Sequence, residues 1–264
     1  MATVLVFDSG VGGLSVYQDI RCAFPELDFV YACDNAAYPY GELDPQLLIK
    51  RVNLIVDMLV KQHQVDAVVI ACNTASTLVL PSLRSFLTIP VIGVVPAIKP
   101  ACQVANIAVG LIATPATVKR DYTDKLINEF SHGVAVYKLG SSQLVHMAEA
   151  KLRGEAVNLQ ELEQIVSPFM NKIDAAVLGC THFPLIREEL DYVFNGKVQL
   201  IDSGKAVAKQ VGRVLGIEAG NGKADIAKEG HLYSSAPMNI TGALELYLTS
   251  NGLNPKTRHL NLHL

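Results

Sequence analysis

The sequence is poor in the features that mark membrane, secreted and nucleic-acid-binding chains. Its longest apolar run, Asp66–Cys72, is strand-sized, far below the ~20 residues that a membrane helix needs. It has no basic excess, with 22 Lys and Arg against 25 Asp and Glu, so no nucleic-acid partner is expected. No basic segment and no small-residue cleavage site precede the first strand-like run at Thr3. A signal peptide is therefore not expected, and a reducing cytoplasm is the expected location. The five cysteines, Cys22, Cys33, Cys72, Cys102 and Cys180, are odd in number. Their spacings fit neither a disulfide framework nor a zinc site, which leaves free thiols for chemistry. Phosphate loops are missing too. Asp8-Ser9-Gly10-Val11-Gly12-Gly13 lacks the third glycine of a dinucleotide fingerprint and the Lys-Ser/Thr of a P-loop.

Half of the residues are hydrophobic and 18% are charged, enough for a buried core. Strand and helix patterns alternate. Strands are expected at Thr3–Phe7, Phe29–Ala32, Asp66–Ala71, Val91–Val95, Ile107–Ala113, Val134–Leu139, Asp174–Gly179 and Val198–Ile201. Helices are expected at Leu14–Cys22, Pro45–Gln62, Ala75–Phe86, Thr117–Phe130, Ser142–Lys151, Leu159–Asn171, Ile186–Phe194 and Ser203–Leu215. The face of the Pro45–Gln62 helix is read as Leu48, Val52, Ile55, Leu59 and Val60. The tail adds a Gly/Asn/Lys turn, a strand at His231–Ser235, a helix at Asn239–Asn251 and a last strand. Strands joined by helical crossovers imply doubly wound parallel sheets, with ligands at the carboxyl ends of the strands.

An internal repeat lies at those ends. Asp66-Ala-Val-Val-Ile-Ala-Cys72 matches Asp174-Ala-Ala-Val-Leu-Gly-Cys180, both aspartates and both cysteines being 108 positions apart. Two α/β domains of one design are expected, 1–96 with 207–264 and 97–206, related by a pseudo-twofold axis with a shared site in the cleft between them. Each cysteine follows a strand and precedes a helix, where backbone N–H groups and the helix dipole favour an anion. A single such cysteine reads best as a small buried hydrophobe; a repeat-matched pair reads better as chemistry. Two thiols suit inversion at an α-carbon: one removes a proton from one face and the other delivers a proton to the opposite face.

Other residues at the strand ends have two readings each. Asp8 orients a thiol or holds an ammonium group, and the glycines after it form a ligand loop or a plain turn. Tyr38-Pro-Tyr-Gly41 alone is a turn. His182 is a structural histidine or the acid/base partner of Cys180. Glu149 alone is a solvated helix charge.

At these residues the sequence resembles the glutamate racemases, the cofactor-independent enzymes of the aspartate/glutamate racemase superfamily. The resemblance rests on Phe7-Asp-Ser-Gly-Val-Gly-Gly-Leu-Ser15, Tyr38-Pro-Tyr-Gly41, Ala71-Cys-Asn-Thr-Ala-Ser76, Gly179-Cys-Thr-His-Phe-Pro-Leu185 and, more weakly, Thr114-Pro-Ala-Thr-Val118. It implies two flavodoxin-like domains and conversion of L- to D-glutamate for peptidoglycan. It also implies no cofactor or metal, a homodimer, and a cell-wall precursor as regulator. By position, Cys72 and Cys180 are the acid/base thiols, assisted by Asp8 and His182 respectively, with Glu149 as an auxiliary. Asp8, Ser9, Tyr40, Gly41, Asn73, Thr74, Thr114, Thr181 and His182 are the implied substrate-binding positions. The rivals are a racemase of the same superfamily acting on aspartate or a hydantoin, and a two-lobed amino-acid sensor that leaves the α-hydrogen in place.

Overall fold

The computed structural model describes residues 1–220 and 229–262. The chain forms two compact units, one made of residues 1–94 and 204–264 and the other of Val95–Ser203. The elements of the first are β1 (Thr3–Asp8), α1 (Leu14–Ala23), β2 (Asp28–Cys33), α2 (Pro45–His63), β3 (Ala67–Ile70), α3 (Asn73–Phe86) and β4 (Val91–Gly93). The second holds α4 (Ile98–Val104), β5 (Val109–Ala113), α5 (Pro115–Val118), α6 (Asp121–Phe130), β6 (Val136–Gly140), α7 (Gln143–Leu152), α8 (Leu159–Val166), β7 (Ala175–Leu178), α9 (Arg187–Val193) and β8 (Gln199–Ile201). The first is then completed by α10 (Gly204–Leu215), β9 (His231–Ser234), α11 (Gly242–Ser250) and β10 (Arg258–His259). Most of the Gly/Asn/Lys turn expected in the tail lies outside the described residues.

Both sheets are wholly parallel. The first runs β10-β9-β2-β1-β3-β4 and the second β6-β5-β7-β8. The four strands common to both, β2-β1-β3-β4 and β6-β5-β7-β8, follow the same flavodoxin-like order. Parallel pairing with helical crossovers buries both sheet faces, so the inner strands are continuous apolar runs. Val4, Leu5, Val6 and Phe7 of β1 and all four residues of β3 are fully buried.

The helices begin and end for local reasons. Asp44 caps α2 by accepting from the amides of Gln46 and Leu47, both at 3.0 Å, with Pro45 in the first turn where its missing N–H costs nothing. The buried face of α2 is Leu48, Val52, Ile55, Val56 and Leu59. Val56, not Val60, completes it, because 3.6-residue periodicity turns position 60 toward the rim. Each of these five buried aliphatic side chains contributes roughly 1.5–3 kcal/mol.

Several expected elements change: the helix expected at Leu159–Asn171 ends at Val166, and a 3₁₀ turn over Ser167–Phe169 follows it. The helix expected at Thr117–Phe130 is two, because Arg120 adopts extended backbone (φ −80°, ψ 137°) and the carbonyl of Thr117 accepts from the Thr123 hydroxyl at 2.6 Å. The strand expected from Ile107 starts at Val109, because the amides of Asn106, Ile107 and Ala108 all donate to the Asp174 carboxylate. Among the described residues no helix is long and apolar enough to cross a membrane.

Candidate active site

In a parallel sheet every strand delivers its last residue to one edge. In the first unit that edge carries Asp8 from β1 and Cys72 from β3. The register pairs Phe7 with Ile70 and Asp8 with Cys33, and the Ala71 amide donates to the Phe7 carbonyl at 2.7 Å. Cys72 is the N-cap of α3, with extended backbone (φ −139°, ψ 115°). The Ser9 hydroxyl bridges the two groups: it lies 3.0 Å from Asp8 Oδ1 and 3.9 Å from Cys72 Sγ. Asp8 Oδ1 also accepts from the amides of Ser9 at 2.5 Å and Gly10 at 3.3 Å. The Ser9 hydroxyl and these two amides thus pin a carboxylate that is 0% exposed.

The glycine loop is shaped by space. A Cβ on Gly13 would stand 2.7 Å from Asp8 Cβ, 2.8 Å from Asp8 Oδ2 and 2.9 Å from the Tyr31 hydroxyl. That hydroxyl donates to the Gly10 carbonyl at 2.8 Å. Burial, then the neighbouring Asp8, holds the Tyr31 phenol well above its ordinary pKa, so it stays a donor. Asn73 and Thr74, in the first turn of α3, are both buried. Asn73 Oδ1 is buried without a hydrogen-bond partner.

Tyr40 sits one strand away, in a short 3₁₀ turn over Tyr40–Glu42. Its ring is buried and its hydroxyl donates to Asp34 Oδ2 at 2.7 Å, while Gly41 is exposed. Asp34, Arg51 and Ser235, which join Tyr40 in one network, went unnoticed in the sequence. They lie 17 and 201 positions from Asp34, and only the topology brings them together.

In the second unit the same edge carries Thr114 after β5 and Cys180 after β7. Cys180, Thr181 and His182 are all buried. His182 Nδ1 lies 3.8 Å from Cys180 Sγ, and its Nε2 lies 3.1 Å from Glu149 Oε1 on α7. Glu149 is therefore not a solvated helix charge but the end of a carboxylate–imidazole–thiol chain. Its other oxygen faces Arg153 at 3.5 Å. The thiol is backed by Gly179, where a Cβ would meet Leu111 Cδ1 at 2.8 Å and the Ile112 carbonyl at 3.0 Å. Thr114 caps α5, its hydroxyl accepting from the Thr117 amide at 3.3 Å.

One local expectation is corrected. Cys180 does not lead directly into an α-helix. A 3₁₀ turn, Phe183–Ile186, comes first, and α9 starts only at Arg187. Cys72 thus has a fourteen-residue helix behind it, whereas Cys180 has His182 and Glu149. Among the described residues no group of three or more His, Cys, Asp or Glu side chains is placed to hold a metal ion.

The family model described as Asp/Glu/Hydantoin racemase matches residues 9–211. The chain is 58% identical to the glutamate racemase of Vibrio cholerae over 253 residues, covering 96% of this chain and 94% of that one. Among solved structures it is similar to Escherichia coli glutamate racemase in complex with L-glutamate and the activator UDP-MurNAc-ala, with a TM-score of 0.88, 45% identity and coverage of 97% and 96%. A glutamate racemase isoform from Bacillus anthracis gives a TM-score of 0.82 at 28% identity, covering 99% and 98%. With two thiols at matched strand ends, each joined to a carboxylate through one intervening side chain, and with relatives of this identity along nearly its whole length, the chain belongs to the Asp/Glu/Hydantoin racemase family, among its glutamate racemases.

Proposed function

We propose that the chain interconverts L- and D-glutamate by a two-base proton transfer without a cofactor, Cys72 and Cys180 serving as acid and base. The observation that carries this reading is the pair of buried thiols at the ends of β3 and β7, each with its own acid/base neighbours: Asp8 through Ser9 for one, Glu149 through His182 for the other. The 58% identity to a glutamate racemase and the L-glutamate bound by the E. coli relative support glutamate as substrate.

The scheme asks each thiol to reach one face of the same α-carbon. The Cys72 thiolate takes the α-proton of one enantiomer, and the Cys180 thiol gives its proton to the opposite face. The products are the other enantiomer, a neutral Cys72 and a Cys180 thiolate, poised for the reverse reaction. The α-proton is far less acidic than a thiol, so the carbanion must be stabilised by preorganised dipoles. Asn73, Thr74, Thr181 and the first amides of α3 fit that role. Asn73 Oδ1, buried without a partner, suits the substrate ammonium, and Ser9, the Tyr40-Gly41 backbone and Thr114 complete the binding positions. The D-glutamate would feed peptidoglycan synthesis in the cytoplasm. A homodimer is part of the same reading, as is activation by a cell-wall precursor like that bound by the E. coli relative.

Circular dichroism of L-glutamate with the protein in deuterium oxide, with and without UDP-MurNAc-ala, tests the reading. Decay of the signal to zero with deuterium at the α-carbon is the expected result. Optically stable glutamate under both conditions overturns it, and racemisation of aspartate instead would move the substrate within the family.

A further inference from the structure

We propose that Asp34 and Arg51 are positioning residues for racemisation, fixing the Tyr40-Gly41 loop against the strand end that carries Asp8. The inference rests on the reading of Tyr40 and Gly41 as substrate-binding positions. Asp34 follows β2 directly and is 0% exposed. Its carboxylate accepts four hydrogen bonds: from Arg51 Nε at 2.7 Å and Nη2 at 2.6 Å, from the Tyr40 hydroxyl at 2.7 Å and from the Ser235 hydroxyl at 2.5 Å. A carboxylate has about four lone-pair sites, so its capacity is filled. The backbone is committed as well. The Asp34 amide donates to the Asp8 carbonyl at 3.0 Å, and the Asp34 carbonyl accepts from Ala37 at 3.0 Å. One residue thereby joins the end of β1, the start of the loop, the middle of α2 and the end of β9.

The far side of the network is closed by the tail. The Ser235 amide donates to the Cys33 carbonyl at 3.1 Å and its hydroxyl accepts from the Ala36 amide at 3.0 Å. Tyr40 packs its ring 6.4 Å from that of Phe7, the residue before Asp8. Burial and then Asp34 hold its phenol well above the ordinary value, so it remains a neutral donor to the carboxylate. With ring and hydroxyl both committed, Tyr40 turns its backbone, not its phenol, to a ligand.

An ion pair this buried is weak evidence of stabilisation, since apolar residues of similar volume often serve stability equally well. What the pair supplies is geometry. The planar guanidinium fork matches the carboxylate with two parallel bonds. That sets the rotation of Asp34, and with it the position of the Tyr40 hydroxyl. Lysine keeps the charge and loses the fork.

The test uses the full chain with two mild variants, Arg51→Lys and Tyr40→Phe. Two things are measured: racemisation kinetics, and hydrogen exchange of the amides of residues 36–42. In both variants KM for glutamate is expected to rise about tenfold while kcat moves less than about threefold. Exchange in residues 36–42 is expected to accelerate, with residues 95–203 unchanged. Folded variants with parental KM and parental loop exchange would overturn the proposal. A parent protein inert toward glutamate would instead overturn the glutamate reading. Loop exchange in the two variants then decides the positioning role alone, faster exchange supporting it and unchanged exchange refuting it.

Discussion

The carboxylate of Glu149 stands 3.1 Å from Nε2 of His182, and the ring's other nitrogen faces the Cys180 sulfur at 3.8 Å. The carboxylate fixes which ring nitrogen carries the proton and so sets the face that the imidazole turns to the thiol. Glu149→Gln keeps the shape and removes the charge. A fall in kcat/KM of about 10²–10³ is expected. The enantiomers are equal in free energy in water, so the loss has to be the same in both directions. Steady-state rates with L- and D-glutamate check this, and a variant within threefold of the parent would remove Glu149 from the chain of proton transfer.

Each thiol is expected to be indispensable. Cys72→Ser and Cys180→Ser replace a thiol by a hydroxyl too weakly acidic to act as a base, and each should abolish racemisation. Polarimetry on the purified variants decides the matter, and full activity in either one ends the two-thiol scheme.

Gly13 is a prediction about space, since its backbone is ordinary (φ −60°). Gly13→Ala would drive a methyl into Asp8 and the Tyr31 hydroxyl at under 3 Å, and neither buried group has room to retreat. A stability loss of about 1–3 kcal/mol is expected, with a fall in activity as Asp8 is displaced. Urea unfolding measures the first effect and racemisation the second.

Asp174 makes the stability of the second unit sensitive to acid. Burial pushes its carboxyl pKa up, but the amides of Asn106, Ile107 and Ala108 outweigh this and hold it below the ordinary value. A carboxyl depressed in the folded state stabilises above its unfolded pKa, and the contribution fades as pH falls through the folded one. Asp174→Asn should therefore cost about 1 kcal/mol or less near neutral pH, with parent and variant converging as pH falls through the lowered pKa of the folded state. Urea denaturation at several pH values tests both the size and the sign.

The repeated Asp…Cys motif had two meanings, and only one was legible in the sequence. The cysteines were readable because parallel α/β topology sends the residue after each strand to the ligand edge. The aspartates lie at the opposite end and are anchors: Asp66 Oδ2 accepts from the Thr3 amide at 2.7 Å, as Asp174 does from residues 106 to 108. The alternation of strands and helices was legible because buried parallel strands are short apolar runs. The helix Ile98–Val104 was not, since Pro100 inside a seven-residue segment breaks the periodic signal. Likewise nothing in the segment Thr117–Phe130 announces extended backbone at Arg120. The Asp34 network was invisible for a different reason. A buried ion pair between a loop and a helix leaves no periodicity, and its third partner arrives from the tail.

Ser235 reaches Asp34 from the far end of the chain, and β9 and β10 extend the first sheet beyond β2. The second unit is one continuous stretch of sequence, whereas the first is interrupted by it. During synthesis, therefore, residues 95–203 can complete their sheet while the first unit still lacks two strands and the hydroxyl that closes its buried carboxylate. The thiol made first, Cys72, is in this sense the last to have its surroundings finished.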